Sequence, residues 1–518
     1  MTVRDHTDTP VGRLARWFDV RLGAAEFTTS KLNYVFPKHF SFLFGEIALY
    51  AFVVLVATGI FLALFYTPSE AEVVYRGDYQ PLVGVHMTEA YESVVHLSFS
   101  VRAGLLMRQT HHWAALVFLG AIFAHMARVF FTGAFRRPRE LNWVTGVVLM
   151  MVGMIEGFAG YSLLDDLLSG TGVRIAYSVI EGIPVVGAWA AFLAFGGEYP
   201  GEGFLSRLFT VHVFLIPTIL AGLITVHLAL VARQHHTQFP GPGKTERNVM
   251  GHRMWPTYAT LSTGLLFLIA AVLTLMGGTL QINPVWLYGP YDLFTVTSGA
   301  QADYYVLWLQ GLLRLMPGWE IRAFGYTITN QFFPGVLAPG IIFGVFLAWP
   351  WLEARLTGDR GTHHLLDRPR DRPVRTAIGM AGLTAFVVTL VAGSDDVIAA
   401  TFDWSIVALR YTERVLLFVL PAAVALLTYK VCKDLSAGGE RPAGPAPAPL
   451  EPAVATAGSG DGQRAATQEG ALGRLVSGPA SRVSSRWQRL RRGLVTTGMI
   501  AAVAGALADR LRNGRTGR

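Results

Sequence analysis

Two apolar stretches of this chain carry histidines at matched intervals. The first, RQTHHWAALVFLGAIFAHMAR, covers residues 108–128 and holds His111, His112 and His125. The second, HVFLIPTILAGLITVH, runs from His212 to His227. An ionisable group in a membrane segment is costly and normally has a partner and a task. An imidazole lowers that cost by binding a metal as a neutral ligand. On a helix, the 14 residues between His111 and His125 bring both to one face, roughly 21 Å apart along the axis. His112 lies about 140° round the helix from His125 and points elsewhere. His212 and His227 are 15 residues apart. On two helices that run the same way, His111 lies level with His212, and His125 with His227. A single membrane histidine more often makes an interhelical hydrogen bond or relays a proton. Two pairs at matched depth point instead to ligation. Two imidazoles on opposite faces of a planar macrocycle give a six-coordinate haem, which has no open position for oxygen chemistry and serves to pass electrons.

The 15-residue interval contains one residue too many. It turns His227 about 60° from His212, against about −40° for the 14-residue interval. Pro217 lies within it, removes a backbone donor and permits a bulge, so a kink or π-bulge is expected nearby. Glycines repeat the period: Gly45 and Gly59, then Gly146 and Gly160, are also 14 residues apart. Glycine lets a large flat ring come close to the backbone. Glycines of membrane helices usually serve helix packing, but the shared period ties these four to the histidines. Arg108 and Arg128 bracket the first histidine segment; each either pairs with a haem propionate or snorkels to the surface.

Such residues need helices that cross a bilayer. The 518-residue chain is 52% hydrophobic and only 15% charged, whereas soluble proteins carry about 25% charged residues. The expected fold is all-α, a polytopic membrane protein with eight transmembrane helices and a four-helix di-haem bundle. The spans fall near 41–66, 103–131, 142–164, 206–232, 256–280, 335–355, 374–393 and 409–431. Arginines crowd the loops after the second, fourth and sixth spans, as at Arg136, Arg137 and Arg139. The loops after the first and third are acidic, with Glu70, Glu72, Asp165, Asp166, Glu198 and Glu202 among them. Basic loops belong in the cytoplasm. That puts both termini there and makes the second and fourth spans parallel. The net charge of +8 then reflects these loops and no nucleic-acid partner.

The chain thus divides into a cytoplasmic segment (1–40), a di-haem core (41–232) with an outer helical loop (165–205), a second four-helix part (256–431) with a long outer loop (281–334), and a cytoplasmic tail (436–518). No cleavable signal peptide is read in the first 30 residues. The tail contains PAGPAPAPLEP, which reads as disordered linker, and ends in a basic, partly apolar stretch suited to an amphipathic helix on the inner leaflet. The single cysteine, Cys432, excludes internal disulfides, a cysteine-ligated iron–sulfur cluster and a CxxCH haem site, and reads as a packing residue.

The set Gly45, Gly59, Arg108, His111, His125, Arg128, Trp143, Gly146, Gly160, His212, Pro217 and His227 closely resembles cytochrome b of the cytochrome bc complexes, the quinol:cytochrome c oxidoreductases of respiratory chains. GYSLLDDLLSG (160–170), QINP (281–284) and LLRLMP (312–317) match further segments of that family, although Leu164 stands where it usually has proline. The resemblance covers about residues 30–430. TQFPGPGKTERNVMG and HHLLDRPRDRPVRTAIG resemble its actinobacterial form. It implies two b-type haems with bis-histidine iron, in a plasma membrane. It implies a Q cycle in which a quinol, menaquinol by the actinobacterial likeness, is oxidised beside the outer haem and a quinone is reduced beside the inner one. It also implies a Rieske iron–sulfur subunit, a cytochrome c subunit, a dimer of the complex, surrounding membrane lipids and a supercomplex with a terminal oxidase.

The family's outer-site signature is Pro-Glu-Trp-Tyr; the corresponding stretch here is ADYY, residues 302–305. Tyr305 matches, and Asp303 keeps a carboxylate, one methylene shorter, to accept a quinol proton. At the inner site the family uses a histidine and an acid after the fourth span. RQHHTQFPGPG offers His235 or His236 there, with His39 as a further contributor, and the acid's position falls on Asn248. A di-haem b membrane anchor of another quinone-linked dehydrogenase is the alternative; it would have four or five spans and lack the loop with ADYY. A proton-coupled transporter would show internal repeats and helices broken at midplane, and neither is found.

Overall fold

Long apolar runs satisfy their backbone in lipid only by forming helices or closed barrels. In the computed structural model, which describes residues 9–197, 199, 201, 203–295 and 301–437, they form helices. Glu198, Glu202 and the expected tail helix lie outside the described residues. Among the described residues, eight helices are long and apolar enough to span a membrane: α1 (Phe40–Ala63), α2 (Gly104–Thr132), α3 (Glu140–Ser162), α4 (Phe204–Gln234), α5 (Met254–Thr279), α6 (Phe333–Thr357), α7 (Pro373–Gly393) and α8 (Ile406–Ala437). The sequence spans agree with these to within a few residues at most ends. The largest difference is at the end of α8, which runs on to Ala437. Among the described residues, shorter helices and three two-stranded ribbons, such as Val35–Pro37 with Gly251–Arg253, make up the rest of the regular structure.

Small residues set the closest packing. Ala48, Ala51 and Ala114 are almost fully buried where α1 meets α2, and Phe118 and Leu119 fill the space beside them. The α2 helix ends on Gly133, whose φ of 64° glycine adopts without strain. The α5 helix packs on α2 and α1, α4 and α6 pack on α3, and α7 packs on α8. The α2 helix packs mainly on α1 and α5, and α4 on α3, which leaves a slot between α2 and α4.

The loops segregate by charge. At one end the three basic loops interlock: Arg139 donates to the carbonyls of His363 (2.7 Å) and His235 (2.9 Å), and Arg136 to that of Leu365 (3.1 Å). Arg375 joins them through Asp367 (2.8 Å) and Glu353. At the other end the acidic loops are tied together. Thr88 donates to Asp165 (2.6 Å), and Glu70 accepts from the backbone of Gly203 and Leu205. Asp166 caps a helix, Leu167–Glu181, within a reciprocal capping box with Ser169.

Candidate functional site

The π-turn lies at Val211–Leu215, within α4 and around His212, ending two residues before Pro217. It absorbs the extra residue of the 15-residue interval. The ring centres of His111 and His212 are 6.3 Å apart, and those of His125 and His227 are also 6.3 Å apart. Two metal–imidazole bonds of about 2 Å put ring centres about 6 Å apart across a single ion. Among the described residues no group of three or more His, Cys, Asp or Glu is arranged to hold a metal. Two protein ligands at this separation suit an ion whose other four bonds come from a planar macrocycle.

Each histidine has its glycine. A Cβ on Gly59 would come 3.2 Å from the His111 ring and one on Gly160 2.5 Å from that of His212. The corresponding distances are 3.2 Å for Gly45 to His125 and 3.7 Å for Gly146 to His227. A cavity lies at each pair. The one at the acidic end has a volume of about 250 Å³ and is lined by Arg108, His111, His212, Gly59, Gly160 and Tyr305. The one at the basic end, of about 870 Å³, is lined by Arg128, His125, His227, Gly45, Gly146 and Trp143, and continues to the basic loops. Trp143 is fixed there by an indole N–H bond to the Phe346 carbonyl, 2.6 Å.

The guanidinium groups fit an anionic edge of such a macrocycle. Arg108 is 5% exposed, donates through Nη1 to the Asn283 carbonyl, and leaves Nε and Nη2 buried with no partner. Arg128 likewise has Nε and Nη2 buried without partners, its guanidinium 4.1 Å above the Phe42 ring. Buried cationic donors left unpaired are expensive, so each calls for a carboxylate brought by a ligand. The residues present therefore fit haem at both levels.

Several partners escaped the sequence reading. Thr58 Oγ1 lies 2.9 Å from His111 Nδ1 while bonding the Val54 carbonyl at 2.7 Å. The threonine hydroxyl thus donates to the carbonyl and accepts from Nδ1–H, which leaves Nε2 with its lone pair free for a metal. Glu156 Oε1 is 3.0 Å from His212 Nδ1, close enough for an ion pair but off the line of a hydrogen bond. His112, turned away from His125 as its spacing requires, has Nε2 3.0 Å from Asp303 Oδ2. The Tyr305 hydroxyl donates to the same oxygen at 3.1 Å. Asp303 is the N-cap of the helix Tyr304–Leu315, yet its carboxylate makes no capping bond and faces His112 instead. Burial and the Asp303 charge hold the Tyr305 hydroxyl well above its usual pKa, so it remains a donor.

At the basic end His235 and His236 both line the cavity. His236 sits against Tyr34 and Phe36. Burial, with Arg139 and Arg128 nearby, lowers its pKa to about 4 and keeps it neutral. His39 also lines the cavity, its Nδ1 2.7 Å from Ser41 Oγ. Asn248 is turned elsewhere: its side chain accepts from the Thr245 backbone and donates to the Gly243 carbonyl.

A bundle of membrane helices with two level, facing histidine pairs defines the class, a membrane-embedded b-type cytochrome. Known proteins carry the assignment further. A family model described as Cytochrome b(N-terminal)/b6/petB matches residues 116–290. The "Cytochrome bc1 complex cytochrome b subunit" of Streptomyces coelicolor is 47% identical over 437 residues, 83% of this chain and 79% of that one. Its namesake in Mycobacterium tuberculosis is 49% identical over 426 residues, 82% and 77% of the two chains. A solved chain titled "Hyperthermophilic respiratory Complex III" shares the fold at a TM-score of 0.58 and 20% identity, covering 80% of this chain and 100% of its own. The chain belongs to the cytochrome b family of cytochrome bc1 complexes. It is an integral membrane, haem-binding oxidoreductase subunit of respiratory electron transport.

Proposed function

We propose that the chain holds two b-type haems, one between His111 and His212 and one between His125 and His227, and works as the electron-conducting and quinone-handling subunit of a menaquinol:cytochrome c reductase. The observation that carries this reading is the pair of equal 6.3 Å ring separations at two depths, each beside its own cavity. Haem bound between two imidazoles supplies reversible one-electron transfer with no open coordination position. The protein does the rest. Thr58 orients His111, the four glycines give the macrocycles room, and Arg108 and Arg128 offset their carboxylates.

At the outer site Asp303 accepts a proton from the quinol hydroxyl, with Tyr305 and His112 fixing the carboxylate. At the inner site neutral His236 donates a hydrogen bond to a quinone carbonyl in the larger cavity. Protons leave on the acidic face and enter on the basic one. The clustering of arginine-rich loops supports placing the basic face, and both termini, in the cytoplasm of a plasma membrane. With its single cysteine the chain has no ligand set for an iron–sulfur cluster or a c-type haem. A Rieske protein and a cytochrome c subunit supply these, in a dimeric complex associated with a terminal oxidase. The similarity to actinobacterial relatives supports that assembly.

Haem content and kinetics of the purified complex test the reading. Two b haems per chain are expected, with quinol-driven cytochrome c reduction slowed about 10²-fold in Asp303→Asn. One haem per chain, or full activity in that variant, would refute it.

A further inference from the structure

Reducing a quinone consumes protons as well as electrons, and the ionisable residues that line the inner cavity are mostly bases. Lys31, Lys38, His39, His236 and Arg139 face it. Among the described residues that line it, Glu46 is the one acid. Asn248 lies away from the cavity wall, with its side chain bonded to Thr245 and Gly243. Neutral His236 offers a hydrogen bond at neutral pH but no proton it could give up as a cation.

Glu46 sits on α1 beside Gly45, the residue that faces His125. Its Oε1 accepts from the Tyr258 hydroxyl at 2.7 Å, and its Oε2 from the Ser262 hydroxyl at 2.8 Å. Ser262 in turn is bonded to Tyr50. Both partners of the carboxylate come from α5, and all four side chains except Tyr50 line the cavity. Hydroxyl rotors of this kind donate to a carboxylate and turn to accept from a carboxylic acid, so the cluster holds Glu46 in either protonation state. A tie between α1 and α5 needs only hydrogen bonds, which glutamine would supply equally well.

We propose that Glu46 is a catalytic residue of the inner quinone site, donating a proton to the quinone oxygen. The proposal rests on the inner-site reading given above. In the step, the Glu46 O–H bond breaks and a quinone O–H bond forms. The electrons come from the chain's electron-transfer activity. Glu46 then regains a proton from water at the basic face, so two rounds convert quinone to quinol and leave the glutamate unchanged.

The test uses the purified complex with its outer site blocked by an inhibitor and 2,3-dimethyl-1,4-naphthoquinone as the probe. Reoxidation of pre-reduced cytochrome b, probe affinity and the infrared difference spectrum on reduction are measured together. Glu46→Gln should keep its b haems and bind the probe within about twofold of the unaltered complex. It should be reoxidised on the order of 10²-fold more slowly and lose a carboxylic C=O band from the spectrum. Glu46→Asp should recover much of the rate. A wild-type rate and an unchanged band in Glu46→Gln would overturn the proposal. If the unaltered complex does not bind the probe, or His236→Ala leaves the affinity unchanged, the inner-site reading fails instead and takes the proposal with it. Should Glu46→Gln not assemble, Tyr258→Phe decides. That ring stacks on Phe36 at 3.6 Å and would stay in place. A displaced C=O band and a severalfold slower rate support the role, while no change in either overturns it.

Discussion

His111 and His212 face each other across the same 6.3 Å as His125 and His227, yet the two pairs sit in different surroundings. The outer pair is crowded. Gly160 leaves only 2.5 Å between a would-be Cβ and His212, a π-turn surrounds that histidine, and the cavity measures about 250 Å³. His112, Asp303 and Tyr305 close one side of it. The inner pair is roomier, with 3.7 Å at Gly146 and a cavity of about 870 Å³ that reaches the basic loops. Equal separation with unequal walls supports the proposal that the histidines serve the same bound group at both levels, while the walls set what else gets in. The outer side brings the Asp303 carboxylate against His112. The inner side has space for a second planar molecule beside the first.

The largest effect should come from the ligands. His111→Ala should remove the outer b haem and His227→Ala the inner one, each halving the b-type absorbance of the purified chain. Full pigment in either variant would end the pairing scheme. Next comes the contrast between glycines. Gly160→Ala should cost about 1–3 kcal/mol by overpacking and lower haem recovery, whereas Gly146→Ala should fold and load normally because its methyl meets only ordinary contact distance. Equal losses at both positions would erase the difference between the two surroundings. Asp303→Asn should then slow quinol oxidation by about 10²-fold while reoxidation of cytochrome b by added quinone stays at its normal rate, separating the two sites in one assay. The smallest effect belongs to Thr58→Val, which leaves the buried His111 Nδ1–H short of a partner at a cost of about 1–3 kcal/mol. It should shift the midpoint potential of the outer haem alone, as read by redox titration of the separate b absorbances.

Much of this was legible in the chain because its signals are periodic. The eight spans follow from apolar runs, since lipid leaves the backbone no choice but internal hydrogen bonds. The 14-residue interval fixes which faces of α1, α2 and α3 bear glycine or histidine, and the 15-residue interval in α4 requires the bulge found at Val211–Leu215. The glutamates were less visible. Glu46 and Glu156 lie inside apolar spans, where an acid is a functional signal in its own right, but nothing local says which partner each has. Thr58 next to Gly59 gave no signal at all, because a threonine bonding its own helix backbone is ordinary. The inner-site histidine stayed open between His235 and His236, and both line the cavity.

Spacing along a helix is a local property, so the sequence by itself determined the number of spans, the faces that carry histidine and glycine, and the segregation of loop charge. What meets across the slot between α2 and α4 depends on how separate helices pack. Only the tertiary structure could bring His112 from α2 to Asp303, 191 residues further along the chain, or set Tyr258 and Ser262 of α5 on Glu46 of α1. Those contacts join residues whose separation in sequence carries no periodic trace, and packing of side chains against one another is what decides them.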